Sequence, residues 1–128
     1  MDDQNQKLIY LVTELGYFCS HRLTLALAAK QVGYNVTVVT NCEQRANLSQ
    51  FEDQLKEFDL YHLPFHRSRL NPLAELKTLW LLAKAYRHLR PQIVHQVALK
   101  PALYGTLCAR LNGVSRIVNA FGGMGYLF

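Results

Sequence analysis

Two short segments of this 128-residue chain carry side chains suited to contacting a bound anion. The first, TELGYFCSHR, combines Gly16, which lets the backbone approach a ligand closely, with His21 in the first turn of a predicted helix. The second, IVHQVALKP, places His95 in an apolar run and Lys100 at the start of another predicted helix. Because a cation beside a helix N-terminus suits a phosphate or diphosphate, these four residues are candidates for ligand contact.

Each candidate also has a purely structural interpretation. Gly16 fits a tight turn, His21 a helix surface, His95 a hydrogen-bonded core position and Lys100 a solvated side chain. The G-x-G-x-x-G fingerprint of dinucleotide-binding folds is absent, although Glu43 follows a predicted strand where a ribose-binding acid would lie. A dinucleotide-binding module is therefore the weakest of the functions considered.

A basic loop and the helix that follows it form a second candidate surface. The loop PFHRSRLNP carries Arg67 and Arg69, and the helix carries Lys77 and Trp80. The apolar stripe of this helix is wider than packing on a sheet requires. Two interpretations of this helix are open: one of its edges rests on an anionic membrane, or it is a core helix with a basic outer face. The sequence contains no recognised nucleic-acid-binding motif, so a nucleic-acid partner is not expected.

Composition and charge narrow the class of protein. Residues 1–64 hold five Lys/Arg and eight Asp/Glu, net −3, whereas residues 65–128 hold nine Lys/Arg and one acid, net +8. This asymmetry favours an anionic partner for the second half. The three cysteines are odd in number and far apart, which argues against a disulfide frame or a zinc site. With no signal peptide or membrane-spanning run, the sequence predicts a single cytosolic domain without metal or cofactor.

Short apolar runs alternate with segments of helical periodicity. Strands are predicted over 7–13, 35–40, 60–64, 93–97 and 116–120, and helices over 21–32, 48–57, 73–90 and 101–111. Ser20 is the predicted N-cap of the first helix. This alternation predicts a Rossmann-like α/β fold, a parallel sheet of strand order 3-2-1-4-5 with helices on both faces.

That strand order predicts where a ligand would bind. The first and fourth strands are neighbours at the point where the chain connections diverge to opposite faces of the sheet. Loops over 14–19, 98–100 and 121–126 are predicted to meet above the carboxyl ends of these strands. The last loop contains Gly122 and Gly123 in the run NAFGGMGYLF.

Four stretches in this order and spacing resemble a known family. KLIYLVTELGYFCSHRLTLALAAKQVGYNVTVVTN, SRLNPLAELKTL, RPQIVHQVALKPALYGTLCARLNGV and IVNAFGGMGYLF together resemble the N-terminal domain of family 4 glycosyltransferases, which are retaining enzymes of the GT-B fold. The likeness is closest to bacterial members that extend lipid-linked sugars for capsule, O-antigen or exopolysaccharide.

The resemblance implies an enzyme of two domains facing across a cleft, with the acceptor on the N-terminal domain and the nucleotide-sugar donor mainly on the C-terminal one. It places Gly16, Gly122 and Gly123 near the donor phosphates or the cleft rim, and His21, His95 and Lys100 toward the acceptor. It implies no cofactor besides the nucleotide-sugar co-substrate, and it assigns no catalytic residue.

The donor-binding domain has no counterpart within these residues, so this chain alone is expected to be inactive. The protein is expected at the inner face of the cell membrane. Two interpretations stay open. The chain is either part of a transferase acting on a lipid-linked acceptor, or a short non-catalytic membrane-docking subunit that pairs with a separate donor-binding chain.

Overall fold

Five strands pair in parallel to form one sheet. They are β1 (Lys7–Glu14), β2 (Asn35–Asn41), β3 (Asp59–His62), β4 (Ile93–Val97) and β5 (Arg116–Ala120), in the order β3-β2-β1-β4-β5. The computed structural model describes residues 6–43, 45–64 and 71–120. The predicted Rossmann-like fold and strand order are confirmed, and each predicted strand is present to within two residues at either end.

Helices cover both faces of this sheet. They are α1 (Leu15–His21), α2 (Leu23–Gln31), a 3₁₀ helix (Arg45–Phe51), α3 (Glu52–Leu55), α4 (Pro72–Leu89) and α5 (Leu99–Leu111). One core cluster joins α1, α2 and α3 to the side chains of Leu8, Tyr10 and Val12. The other joins α4 and α5 to Ile9 and Leu11, which alternate with them along β1. We call these two sides of the sheet the α1 face and the α4 face.

The first helical region differs from the prediction. The segment 14–19 is not a loop, because α1 begins directly after β1 and buries Leu15, Phe18 and Cys19. These positions are spaced i, i+3 and i+4, so they share one helical face. The helix breaks at Arg22, and Ser20 is an exposed residue within α1 rather than an N-cap. The predicted helix over 48–57 is likewise a 3₁₀ helix followed by the short α3.

Helix α4 begins and ends close to the predicted positions. The Asn71 side chain accepts a hydrogen bond from the Leu73 N–H at 3.0 Å, and Pro72 occupies the first turn. Arg90 ends the helix in the left-handed conformation, directly before Pro91. An Asn cap satisfies an N–H that the helix itself leaves free, and Pro is tolerated there because its missing N–H has no helical partner.

A buried polar network ties β4 and β5 to the helices of the α4 face. Gln96 of β4 is fully buried and accepts a hydrogen bond from the Tyr86 hydroxyl at 2.9 Å. Its amide donates to Thr106 Oγ1 at 3.2 Å and to Asn119 Oδ1 at 2.6 Å. The amide therefore finds partners on α4, α5 and β5, as a polar group in an apolar core requires.

Ala98 connects β4 to α5 in a backbone conformation that favours glycine, with φ of 80° and ψ of 169°. Its N–H donates to the Ala120 carbonyl at 2.7 Å, which holds the carboxyl ends of β4 and β5 together. Such a conformation costs a residue with a Cβ about 1–3 kcal/mol. The side chain is exposed, so a glycine here would lose no packing.

We therefore expect Ala98→Gly to stabilise the protein by about 1 kcal/mol, since relief of strain exceeds the added freedom of the unfolded chain. Urea unfolding followed by circular dichroism measures this change. The matched control is Ala102→Gly, the same substitution at a buried position within α5, which should destabilise the protein by about 1–2 kcal/mol. Destabilisation by both variants would show that Ala98 carries no strain.

Candidate functional site

The carboxyl ends of β1 and β4 lie side by side, as the predicted topology requires. Leu11 pairs with Gln96 near these ends. The chain leaving β1 enters α1 on one face, and the chain leaving β4 enters α5 on the other. In open parallel sheets, ligands bind at the point where connections diverge in this way. We refer to this part of the molecule as the switch-point edge.

Gly16 lies at this edge, in the first turn of α1 rather than in a loop. It borders a pocket of about 40 Å³ that is lined by Glu14, Leu15, Gly16, Asn41 and Glu43. Among the described residues, a Cβ placed on Gly16 would meet only Leu48 Cδ2, at 3.9 Å. The position is therefore open toward the edge. The carboxylates of Glu14 and Glu43 line this pocket, so the pocket does not favour a phosphate.

His21 ends α1 as an exposed side chain. Its ring stacks on Tyr17 with centroids 4.1 Å apart and planes inclined by 13°. The Nδ1 atom lies 3.4 Å from the Tyr17 carbonyl oxygen, which the neutral Nδ1–H tautomer can donate to. Stacking holds the imidazole in one orientation with part of its edge accessible, so His21 can contact a ligand that approaches over α1.

His95 occupies the centre of β4 and points to the α1 face, where it is partly buried. Its ring packs on Tyr10 with centroids 4.7 Å apart. Burial lowers the pKa of His95, and the nearby positive charge of Arg22 lowers this pKa further. The imidazole is therefore neutral near pH 7, which suits it to donate or accept a hydrogen bond rather than to supply a charge.

Lys100 lies in the first turn of α5, on the opposite face of the sheet from His95. Its ammonium is 2.9 Å from the carboxylate of Glu75, and it stands 5.7 Å from the ring centroid of Tyr104. The Tyr104 hydroxyl donates to the same carboxylate at 2.5 Å, and this hydrogen bond raises the pKa of Tyr104. Lys100 thus joins the first turns of α4 and α5, and an anion would share it with Glu75.

The candidates are therefore not brought together in one pocket. His21 and His95 belong to the α1 face, Lys100 belongs to the α4 face, and Gly16 lies beside β1. Gly122 and Gly123 lie outside the described residues, as do Arg67 and Arg69. The sequence did not indicate Arg22 or Glu75 as site residues. Arg22 acts on His95 and Glu75 pairs with Lys100, and both partners are distant in the chain.

The outer surface of α4 is apolar and basic. Leu73, Leu76 and Trp80 are 77%, 63% and 61% exposed, which is a high fraction for large apolar side chains. Lys77 is exposed beside them, and the Lys84 ammonium lies 5.1 Å from the centroid of the Trp80 ring. In the described part of the chain, no helix is long and apolar enough to cross a membrane.

A larger groove of about 590 Å³ lies elsewhere, between α2 and α3. Its lining includes Lys30, Asp53 and Glu57, near the amino ends of β2 and β3. Ligands of parallel sheets bind at the carboxyl ends, so this groove is remote from the switch-point edge. Within 6–43, 45–64 and 71–120, no group of three or more His, Cys, Asp or Glu side chains is arranged to hold a metal ion.

Comparison with known families identifies the family to which this chain belongs. A family model described as glycosyl transferase 4-like matches residues 7–128. The match covers nearly the whole chain, so the protein belongs to the glycosyl transferase 4-like family. No curated protein sequence matches it.

Solved structures share the fold. MurG from Acinetobacter baumannii superposes with a TM-score of 0.68 at 19% identity, covering 90% of this chain and 35% of that one. A glycosyltransferase from Rickettsia africae gives a TM-score of 0.64 at 16% identity, covering 90% and 29%. The chain thus spans about a third of the length of these two proteins.

A non-transferase also has this fold. The C-terminal domain of a hydrogenase from Pyrococcus furiosus superposes with a TM-score of 0.59 at 16% identity, covering 89% of this chain and 90% of that one. Likeness at these identities establishes the fold, and a fold of this kind hosts many activities. The family match, rather than the superpositions, therefore carries the assignment.

Proposed function

We propose that this chain is the acceptor-side domain of a glycosyltransferase that moves a sugar from a nucleotide-sugar donor to a lipid-linked acceptor in surface polysaccharide synthesis. The observation that carries the proposal is the family match over residues 7–128. It is supported by a fold in which β1 and β4 are neighbours at the switch-point edge, where ligands of such sheets bind. The acceptor lies at this edge, beside His21 and His95, with Lys100 on its far side.

A second domain holds the donor. Pockets for ligands of this size measure about 300–1,000 Å³, whereas the described pocket at the switch-point edge measures about 40 Å³. The missing contacts come from a further domain of the same polypeptide or from a separate chain. Gly16, Gly122 and Gly123 then face that domain across the cleft, where absent side chains allow close approach of the backbone to the donor.

Sugar transfer requires donor and acceptor to be held together in one geometry. We therefore expect the 128-residue chain to bind an acceptor mimic without catalysing transfer. Titration with a short-chain prenyl diphosphate sugar, followed by amide NMR shifts, should perturb residues around the carboxyl ends of β1 and β4. Free UDP and GDP serve as donor controls and should perturb them less. Turnover by the chain alone, or shifts confined to the α2–α3 groove, would contradict the proposal.

The outer surface of α4 docks the enzyme on the membrane that carries its acceptor, at the cytoplasmic face. Exposed Leu76 and Trp80 supply apolar contact, and Lys77 and Lys84 supply attraction to anionic headgroups. Each basic residue near such a surface contributes about 1 kcal/mol, and insertion of apolar side chains adds to this. Arg67 and Arg69, just before α4 in sequence, extend the same basic surface in this proposal.

Trp80 is the one tryptophan of the chain, so its fluorescence reports this surface alone. We expect a blue shift with vesicles containing phosphatidylglycerol, and a smaller shift at high salt because ions screen exposed charges. Lys77→Glu combined with Lys84→Glu should abolish the shift, whereas Lys30→Glu on the opposite face should leave it unchanged. An equal shift with pure phosphatidylcholine at every salt concentration would refute a charge-assisted membrane surface.

A further inference from the structure

Among the described residues, two buried nitrogen atoms on the α1 face have no hydrogen-bond partner. They are Arg22 Nε and His95 Nε2, each covered from solvent and each unpaired among the described residues. The residues that carry them are partly exposed. Because nearly all buried polar atoms in folded proteins are paired, two orphans on the same face of the sheet indicate that a partner is missing there.

The backbone holds both side chains in place. Arg22 stands at the break between α1 and α2, where its N–H donates to the Phe18 carbonyl at 2.8 Å and its carbonyl accepts from the Ala26 N–H at 3.0 Å. The ring of His95 rests on Tyr10, and Tyr10 packs edge-on against Phe18 with centroids 5.6 Å apart. The backbone of Arg22 and the ring of His95 are therefore held by packed elements, which favours a preorganised site.

The local charge is positive and unbalanced. Burial raises the pKa of Tyr10 and lowers the pKa of His95, and the nearby charge of Arg22 acts to lower both; no carboxylate of the described residues contributes to either shift. The groups facing His95 are Tyr10 from β1, Arg22 from the α1–α2 junction and Val118, its register partner on β5. Val118 is 45% exposed, so the site is open on the β5 side.

We propose that Arg22 and His95 form a subsite for a phosphate or diphosphate oxyanion on the α1 face. Arg22 Nε–H and His95 Nε2–H each donate to an oxygen of the group, which pairs both orphans and neutralises the guanidinium. The natural source of this anion is the diphosphate of a lipid-linked acceptor. This assignment rests on the function proposed above.

The subsite is tested by NMR titration of the histidine imidazoles with inorganic phosphate and with pyrophosphate. We expect the His95 resonances to shift on binding and the pKa of His95 to rise, because an anion stabilises the imidazolium. Arg22→Gln should weaken pyrophosphate binding at least about tenfold. The exposed His88, near the end of α4 on the other side of the sheet, is the internal control and should shift less than His95. An unmoved His95, or equal shifts in Arg22→Gln, would overturn the subsite.

Two further measurements separate this inference from the proposed function. Arg22→Lys keeps the charge but loses the Nε–H, so its pyrophosphate affinity should lie between those of the wild type and Arg22→Gln. A prenyl diphosphate sugar that shifts His95 as pyrophosphate does would identify the acceptor as the source. Pyrophosphate binding at His95 without any prenyl diphosphate binding would keep the subsite and refute the acceptor assignment.

Discussion

Replacing Gly105 with alanine is expected to destabilise this protein by about 2–4 kcal/mol. Gly105 lies in α5 where the helix crosses β4, and an added Cβ would overlap the amide oxygen of Gln96. It would also lie 2.5 Å from Gln96 Cδ and 2.9 Å from Leu11 Cδ2, closer than real Cβ atoms approach their neighbours. Since Gln96 is fully buried and held by three hydrogen bonds, it cannot move aside without breaking them.

The matched control is Gly16→Ala, the same change in another helix. There the nearest described atom to the new Cβ is Leu48 Cδ2 at 3.9 Å, an ordinary contact. Alanine is favoured over glycine in helices by up to about 1 kcal/mol, so this variant should be neutral or slightly stabilised. Urea unfolding compares the two, and equal losses of stability would show that crowding against Gln96 is not the cause. If Gly16 faces the donor, the same variant should slow sugar transfer by the complete enzyme without loss of stability.

Gln96→Leu is expected to cost about 3 kcal/mol, although leucine is close to glutamine in size and more apolar. The substitution leaves the Tyr86 hydroxyl and the Asn119 amide oxygen facing an apolar side chain, and each loses a partner inside the core. Tyr86→Phe removes a single hydrogen bond from the same network and should cost about 1–2 kcal/mol. Guanidinium unfolding would measure both variants under identical conditions.

Gln54→Leu is the control for these variants, because Gln54 is exposed on α3. It should change stability by less than about 0.5 kcal/mol. A second check is the double variant Gly105→Ala with Tyr86→Phe, which should be less destabilising than the two losses added together, since both act through Gln96. A Gln96→Leu protein as stable as the wild type would show that the network contributes no net stability.

The network also bears on function. Gln96 and Asn119 stand near the carboxyl ends of β4 and β5, and Ala98 joins the same two strand ends through its hydrogen bond to Ala120. These strand ends border the switch-point edge. If the proposed function holds, variants that loosen them should weaken acceptor binding even where the chain stays folded, because small displacements of positioning groups are costly in transfer reactions.

The sequence alone determined the class of fold and the edge of the sheet at which the chain connections diverge. Strand-length apolar runs alternating with helical periodicity leave few topologies other than a right-handed parallel sheet, and that sheet has one switch point. The limits of α4 were also readable, because Asn71, Pro72 and Pro91 act on the backbone within a few residues of themselves. Information of this kind is local, so it needs no knowledge of what packs against it.

The tertiary structure decided what depends on contact between distant segments. The sequence did not predict helix α1, because three apolar residues, Leu15, Phe18 and Cys19, are too few to establish a helical pattern. Their role becomes clear only when they pack against β1. Lys100 looked like a solvated or phosphate-binding cation until α4 brought Glu75 against it. Arg22 and His95 are 73 positions apart in the chain, and the charge of Arg22 acts on His95 only because the sheet places β4 beside β1. Pairing across such separations leaves no periodic pattern in the sequence, because it is set by how whole elements pack.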